Sequence, residues 1–293
     1  MHIILGATGH IGAALTKILL ELGEPVTAVT RDPQKGEKLR QMGAHVAVVN
    51  VLDTEKLRRT FKQGKRLYLL NPPAPPDTDT AKEEFKTVDA IISALEGSGI
   101  EKVVAESTYG AQPGDRLGDL GVLYHMEQAL DALSVPHTII RGAYYMSNWD
   151  HALDTARKEG VVHTLYPAEY KIPMVSPADI AKVAAKLLLE PPTKGGLYYV
   201  EGPEPYSSAE VADAFSAALQ RPVKAVTIPQ HQWIPSLEKM GFSPEAAASM
   251  AAMTDITLKQ DFEMPDAPIR GETTLQEYIH RLVHPKHAPV TGG

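Results

Sequence analysis

The amino-acid sequence predicts an α/β fold, a doubly wound parallel sheet of the Rossmann type with a smaller, mostly helical lobe towards the carboxyl terminus. Two observations predict the sheet. Short apolar runs without polar alternation, typical of strands buried on both faces, alternate with amphipathic helical patterns through the first two-thirds of the chain. A glycine-rich turn from Gly6 to Gly12 also joins the first such run to the first helical pattern. Strands that alternate with helices pair in parallel through right-handed crossovers.

Seven apolar runs predict the strands, at 2–5, 25–30, 45–51, 66–70, 102–105, 137–140 and 197–200. The first helix is predicted at 11–22, because apolar residues recur there at spacings of three and one and Gly23 then ends the pattern. Further helices are predicted at 53–61, 80–95, 120–133 and 177–189. The last of these has two start signals, Ser176 as the N-cap and Pro177 in the first turn.

The pattern changes after about residue 200. Helices are predicted at 207–219, 244–262 and 273–283, with one short strand at 223–228. A mostly helical lobe of this kind is expected over the carboxyl ends of the strands, where ligands bind in such folds. We therefore assign residues 1–145 and about 171–200 to the sheet domain, and 146–170 and about 201–283 to the lobe. Residues 284–293 are expected to form a loose tail.

Composition excludes several classes of function. The net charge of −7 argues against nucleic acid or an anionic membrane as a main partner, because both favour a basic face. The chain has no cysteine, which rules out disulfides, thiolate metal sites and cysteine nucleophiles, and its eleven histidines lack metal-ligand spacing, so no metal is expected. No signal peptide or membrane span is apparent, so a cytoplasmic location is expected and the oligomeric state stays open.

The segment GATGHIG predicts a dinucleotide site, because it follows a strand and opens a helix. Gly6 permits the tight turn, Gly9 lets backbone amides approach a pyrophosphate, and Gly12 lets the helix pack closely on the sheet. The diphosphate would then lie at the positive end of the helix. The other members of this loop are Ala7, Thr8, His10 and Ile11.

The end of the second strand predicts which dinucleotide binds. A carboxylate at this position accepts a hydrogen bond from the ribose 2′-hydroxyl of NAD, whereas a guanidinium accommodates the 2′-phosphate of NADP. Arg31 comes first and favours NADP(H), while Asp32 leaves NAD(H) as the less favoured alternative. After the third strand, Val51 and Leu52 are expected to flank the adenine, and Asp53 either joins them or caps the next helix.

Several segments together resemble the NmrA-like branch of atypical short-chain dehydrogenases. They are GATGHIG, TRDP, LLNPPAPP, HMEQALDALSVPHTIIRGAYYMSN, PADIAKVAAKLLLEP and, in the lobe, EGPEPYSSAEVADAFSAALQRPV and MGFSPEAA. The resemblance implies that Asn71, Pro72 and Pro73 line the middle of the cofactor. It also implies that Ser107 and residues 141–146, with Gly142 and Tyr144, approach the nicotinamide. That branch includes NADPH-dependent quinone and dye reductases as well as cofactor-binding regulators.

The usual acid–base pair of short-chain dehydrogenases is incomplete. Tyr124 lies in the expected helix, but the fourth residue after it is Gln128 where a Tyr-x-x-x-Lys pair needs lysine. Without that positive charge Tyr124 is a neutral phenol and a poor base. The remaining catalytic candidates are Ser107, which could instead cap a turn, His125, which could instead be a surface or capping histidine, and Tyr144.

The loop after the sixth strand predicts a substrate pocket. Tyr144, Tyr145 and Trp149 suit stacking on a flat, electron-poor molecule, although they could equally pack the sheet domain on the lobe. A quinone or cationic dye needs less help from a protein acid than a simple ketone does. The expected function is hydride transfer from NADPH to a small quinone-like acceptor, and the alternative is a non-catalytic NADP(H)-binding redox sensor that engages a protein partner. The absent lysine also weakens a third hypothesis, a sugar-nucleotide epimerase or dehydratase, because those reactions rely on the Tyr–Lys pair.

Overall fold

The computed structural model describes residues 1–114 and 116–285. The first part of the chain alternates strands and helices. Its elements are β1 (His2–Ile4), α1 (His10–Glu21), β2 (Val26–Thr30), α2 (Pro33–Gln41), β3 (His45–Val48), α3 (Thr54–Phe61), β4 (Arg66–Leu69), α4 (Thr80–Leu95), β5 (Lys102–Thr108), α5 (Asp119–Asp131) and β6 (His137–Gly142). Every strand begins within one residue of its prediction.

The rest of the chain builds the lobe and completes the sheet. Its elements are β7 (Tyr144–Tyr145), a 3-10 helix (Met146–Ala152), α6 (Leu153–Lys158), β8 (Val161–Thr164), β9 (Ile172–Val175), α7 (Pro177–Leu189), β10 (Gly196–Glu201), β11 (Pro205–Tyr206), α8 (Ser208–Leu219), β12 (Lys224–Thr227), a 3-10 helix (Gln230–Gln232), α9 (Trp233–Lys239), α10 (Pro244–Lys259), β13 (Ile269–Arg270) and α11 (Leu275–Val283).

The large sheet has the order β13-β10-β6-β5-β4-β1-β2-β3, and all of its pairings are parallel. One apolar core lies between the sheet and α1 and α7, and a second lies between the sheet and α3, α4 and α5. The doubly wound fold predicted from the sequence is therefore confirmed. A third core, around Trp149 and Phe215, fills the lobe.

Two smaller sheets belong to the second half of the chain. β11, β9 and β7 form one, and β12 pairs with β8 in the other. Neither β9 nor β13 was predicted as a strand. The residues of β9 fall in the range assigned to the sheet domain, and those of β13, which pairs with β10 at the edge of the large sheet, fall in the range assigned to the lobe. The division at the predicted boundaries stays a prediction, and residues 286–293 of the predicted tail lie outside the described residues.

Two strands run further than predicted because each continues through a charged residue that has a buried partner. β5 continues through Glu106 to Thr108, and β6 continues through Arg141 to Gly142. Helix α2 was not predicted, since only Gly36 and Leu39 of its nine residues are buried and it shows little apolar periodicity. Within the described parts of the chain, no helix combines the length and apolar character that crossing a bilayer requires.

Candidate active site

The glycine turn brings the start of α1 against the end of β1. Gly6 has φ of +61°, in the left-handed region that favours glycine, and a Cβ there would lie 2.9 Å from Leu70 Cδ2. The Gly9 amide donates to the Gly6 carbonyl at 2.9 Å, and a Cβ on the buried Gly12 would collide with that same carbonyl oxygen. Gly9 is the N-cap of α1 and offers no side-chain cap. The first amides of the helix therefore face outwards at its positive end, which suits an anion.

His10 connects this turn to the lobe. Its Nε2 lies 3.5 Å from Oδ2 of Asp150, which sits in the 3-10 helix after β7. The other oxygen of Asp150 accepts a hydrogen bond of 2.8 Å from the Tyr278 hydroxyl on α11. The His10 side chain is 64% exposed, so the imidazole also borders the space in front of the helix end.

The charged residues after β2 and β3 divide into caps and exposed groups. Asp32 Oδ1 accepts from the amides of Gln34 and Lys35 at 2.8 and 3.2 Å and so caps α2. Asp53 caps α3 in the same way through Lys56 N at 3.0 Å. Arg31 is exposed at the end of β2, and Leu52 exposes half of its surface.

The loop that follows β4, residues 71–78, contains four prolines and is called the proline loop. Helix α4 holds it in place. Asn71 donates to the carbonyl of Glu84 at 3.3 Å and accepts from the Thr87 hydroxyl at 2.6 Å. The Ala74 amide donates to Glu84 Oε1 at 2.9 Å. Burial, and then the charge of Asp119 at the start of α5, raise the pKa of Glu84 to about 8. The loop begins beside the glycine turn, because β4 pairs in parallel with β1 and both strands end at the same edge of the sheet.

The lobe reaches across to the same loop. The Ser243 amide donates to the Pro76 carbonyl at 2.8 Å, and its hydroxyl donates to the Thr78 carbonyl at 2.7 Å. Ser243 is also the N-cap of α10 and accepts from the Ala246 amide at 3.0 Å. At the other end of α10, the Tyr170 hydroxyl donates to the Thr257 carbonyl at 3.0 Å. Helix α10 is thus held at its start by the loop after β4 and near its end by Tyr170.

The hydroxyl of Ser107 donates a hydrogen bond to the carboxylate of a buried ion pair between Glu127 and Arg141. It donates to Glu127 Oε1 at 2.5 Å, while Arg141 binds both oxygens of Glu127 at 2.9 and 2.7 Å and donates to the Tyr199 hydroxyl at 3.0 Å. Burial opposes the charge on Arg141, but hydrogen bonds and the charge of Glu127 outweigh it and raise the pKa of the guanidinium. This group joins β5, α5, β6 and β10.

Two other sequence candidates lie on α5. The His125 side chain is 43% exposed, with Nε2 2.9 Å from Asp89 Oδ1 on α4 and its ring edge-to-face with Phe85. Tyr124 lines a cavity of about 290 Å³ together with Arg141 and Phe262. His125 thus contacts α4, whereas Tyr124 shares its cavity with Arg141, a partner of the carboxylate that holds Ser107.

Tyr144 belongs to an aromatic cluster between β7 and the lobe. Its ring centroid lies 6.2 Å from that of Trp149 and 6.1 Å, edge-to-face, from that of Tyr166. Tyr166 in turn stacks on Tyr170 at 6.4 Å. Burial, followed by the charge of Tyr166, raises the pKa of Tyr144, so its phenol stays neutral. The cluster lies beneath α10, which Tyr170 contacts.

A buried carboxyl group at the end of β5 was missed in the sequence. Glu106 is 4% exposed and accepts from the hydroxyls of Tyr68 and Tyr145, each at 3.0 Å. A Cβ on Gly142 would lie 2.9 Å from the Tyr145 ring and 3.0 Å from Glu106 Oε1, so a side chain at this position would crowd both residues. Burial raises the pKa of Glu106 to about 8, although the hydrogen bonds from Tyr145 and Tyr68 limit the rise. The available signal was Glu106 itself, a single charged residue between the predicted strand at 102–105 and Ser107.

Comparisons with known proteins agree with this architecture. A model of the NmrA-like family matches residues 2–279. An NAD(P)H azoreductase from Xenophilus azovorans is 26% identical over 250 residues, 85% of either chain. The solved structure of triphenylmethane reductase from Citrobacter sp. with NADP(H) gives a TM-score of 0.79 at 19% identity, covering 96% of this chain and 100% of that one. NADPH-dependent quinone oxidoreductase QOR2 from Escherichia coli, with NADPH, gives 0.78 at 22% identity, covering 96% and 99%.

Proposed function

The chain belongs to the NmrA-like family, and on that premise we propose that it is an NADPH-dependent reductase of small, electron-poor aromatic acceptors such as quinones or azo dyes. The glycine turn carries the proposal. Its uncapped helix end offers outward backbone amides for a diphosphate, and the close approach of Gly12 to Gly6 packs that helix end against the turn after β1. The azoreductase, triphenylmethane reductase and quinone oxidoreductase relatives support the same class of reaction.

The rest of the cofactor site follows the carboxyl edge of the sheet. We propose that Arg31 binds the 2′-phosphate, because Asp32 is occupied as a helix cap and Arg31 is exposed. Val51 and the exposed Leu52 offer apolar surface for the adenine. Asn71, Pro72 and Pro73 line the middle of the dinucleotide on this proposal. Ser107, Gly142 and Tyr144 border the nicotinamide end, and His10 adds a donor beside the diphosphate.

The acceptor is proposed to lie between the nicotinamide end and the aromatic cluster of Tyr144, Trp149, Tyr166 and Tyr170. The rings of Tyr144, Tyr166 and Tyr170 are half-buried, and their exposed parts would offer an aromatic molecule surfaces on which to pack. We assign no proton transfer to Ser107 or His125. The Ser107 hydroxyl already donates to Glu127, and the His125 imidazole contacts Asp89 on an exposed helix surface.

An anaerobic assay tests the function. Purified protein is given NADPH or NADH with a panel containing a naphthoquinone, an azo dye and a triarylmethane cation, and the loss of reduced nucleotide is followed. We expect turnover of at least one acceptor, with NADPH preferred. Binding of NADPH without turnover of any acceptor would refute the reductase and favour the redox-sensor alternative, which a marked difference in affinity between NADP and NADPH would then identify.

A further inference from the structure

On the basis of that proposed function, we infer that Tyr145 is the proton donor to the reduced acceptor and that Glu106, held by Tyr68, resupplies its proton. The three groups form one hydrogen-bonded chain. The Tyr68 hydroxyl contacts Glu106 Oε2 and the Tyr145 hydroxyl contacts Oε1, each at 3.0 Å. Such a chain gives the site an acid that the incomplete Tyr-x-x-x-Lys pair on α5 does not supply.

The burial of the three side chains indicates the direction in which a proton would move along these hydrogen bonds. Tyr68 is fully buried and Glu106 is 4% exposed, whereas Tyr145 is half-buried. Tyr145 follows Tyr144 of the aromatic cluster in β7, and its side chain packs on the core of the large sheet while that of Tyr144 packs on the core of the lobe. The route from Glu106 to an acceptor therefore passes through the Tyr145 hydroxyl.

The surroundings of Glu106 keep it a carboxylic acid. Its hydrogen-bonding neighbours are two phenols, and among the described residues no cationic side chain forms an ion pair with it. Asp119, at the start of α5, adds negative charge that helps to raise the pKa of Tyr145, after the larger contributions of burial and Glu106. A protonated Glu106 has one hydrogen to donate, and its partners are the two tyrosine oxygens. Donation to Tyr145 turns the hydrogen of that tyrosine towards the cleft.

The proposed step balances in atoms and electrons. When bound, NADPH supplies the hydride and thus both electrons, and it is oxidised to NADP⁺. A quinone that has gained the hydride is a monoanion, and its oxygen forms a bond to hydrogen as the O–H bond of Tyr145 breaks. The Tyr145 oxygen then takes the proton of Glu106. The Glu106 carboxylate keeps its hydrogen bonds from Tyr68 and Tyr145 and regains a proton from solvent after product release.

Two acceptors with different proton requirements test the inference. A triarylmethane cation becomes neutral on gaining hydride and needs no proton, whereas a quinone needs one. We expect Tyr145→Phe and Glu106→Gln to lower the ratio of quinone to dye single-turnover rates by roughly a hundredfold. Tyr109→Phe is the matched control, since it removes another buried tyrosine–glutamate hydrogen bond, to Glu201 at 2.8 Å, and should leave the ratio unchanged.

The outcomes separate the two proposals. A wild-type protein that reduces neither acceptor overturns the proposed function and the inference with it. Turnover by the wild type with an unchanged ratio in Tyr145→Phe overturns the inference alone. Infrared spectra of the cofactor-free protein give a second readout that is independent of activity. We expect a protonated carboxyl band near neutral pH, to which Glu84 also contributes, that is weaker in Glu106→Gln, and equal bands in both proteins would refute the proton store.

Discussion

The hydroxyl of Ser243 in the lobe donates a hydrogen bond of 2.7 Å to the carbonyl oxygen of Thr78 in the proline loop. The same side chain caps α10, and the Ser243 amide binds the Pro76 carbonyl. One residue thus fixes both the start of the helix that covers the aromatic cluster and the loop proposed to line the cofactor. The position of the lobe and the shape of the cofactor site are therefore coupled.

Ser243→Ala tests that coupling. Loss of the cap should lower the free energy of unfolding by about 1 kcal/mol, and loss of the bond to Thr78 should raise the KM for NADPH. Ser207→Ala is the control, because Ser207 caps α8 in the same lobe through Glu210 N at 3.2 Å without contacting the proline loop. Chemical denaturation and initial rates measure the two effects. Equal KM values for the two variants would show that the lobe does not shape the cofactor site.

Arg31→Ala tests the choice of dinucleotide. Removing a guanidinium that binds the 2′-phosphate should weaken NADPH binding by about 1.5–3 kcal/mol, roughly 10- to 100-fold in Kd, and leave NADH binding unaltered. Arg40→Ala removes the same charge from exposed α2, where Arg40 pairs with Glu37 at 3.0 Å, and serves as the control. Titration calorimetry with both nucleotides gives the result. An equal loss for NADPH and NADH would contradict a phosphate contact.

The fold was predictable because apolar periodicity determines which residues enter a strand or helix. The sequence correctly placed α4 from its periodicity, α7 from its periodicity and caps, and the start of β5 from its apolar run. It failed at Glu106 and Arg141, where a charged residue was interpreted as the end of a strand. Each of these residues stays in its strand because a partner distant in the sequence neutralises or hydrogen-bonds it.

The candidate site was less predictable for the same reason. The glycine turn is local, so its role follows from seven consecutive residues. In contrast, the hydroxyl of Ser107 is engaged by Glu127, twenty residues away, and Glu106 depends on Tyr68 and Tyr145 on two other strands. Pairings of that kind arise from the order of strands in the sheet, which one sequence does not specify at the level of side-chain contacts.

A double-mutant cycle measures how the buried ion pair between Glu127 and Arg141 contributes to stability. Glu127→Leu leaves a buried guanidinium without its carboxylate and should cost about 3–5 kcal/mol of stability. Adding Arg141→Met removes that unpaired charge, so the double variant should be more stable than Glu127→Leu alone. Urea denaturation at neutral pH is measured for Glu127→Leu, Arg141→Met, the double variant and the wild type. A double variant that is the least stable of the set would mean that packing of the aliphatic stems, and not the buried charge, dominates.

The stability of the protein should depend on pH, because Glu106 binds its proton more tightly when the protein is folded. Its pKa is about 8 in the folded state against 4.5 for an ordinary glutamate. Between those values the native state holds more protons than the unfolded state, so the free energy of unfolding falls as pH rises, by about 1.4 kcal/mol per pH unit from this group. Glu106→Gln does not titrate and should gain stability relative to the wild type from pH 4.5 to 8.

Glu101→Gln provides a control of opposite sign. Glu101 is exposed, and its hydrogen bond to Lys65 at 2.7 Å, with the charge of that lysine, lowers the pKa of its carboxyl. A lowered pKa stabilises the native state above the ordinary value of a glutamate, and that stabilisation disappears as pH falls. Glu101→Gln should therefore lose stability relative to the wild type as pH rises to about 4.5 and stay level above that value, whereas Glu106→Gln should gain stability between pH 4.5 and 8. Parallel pH profiles for the two variants in chemical denaturation would show that Glu106 is ionised in the folded protein, and the proton store would then be absent.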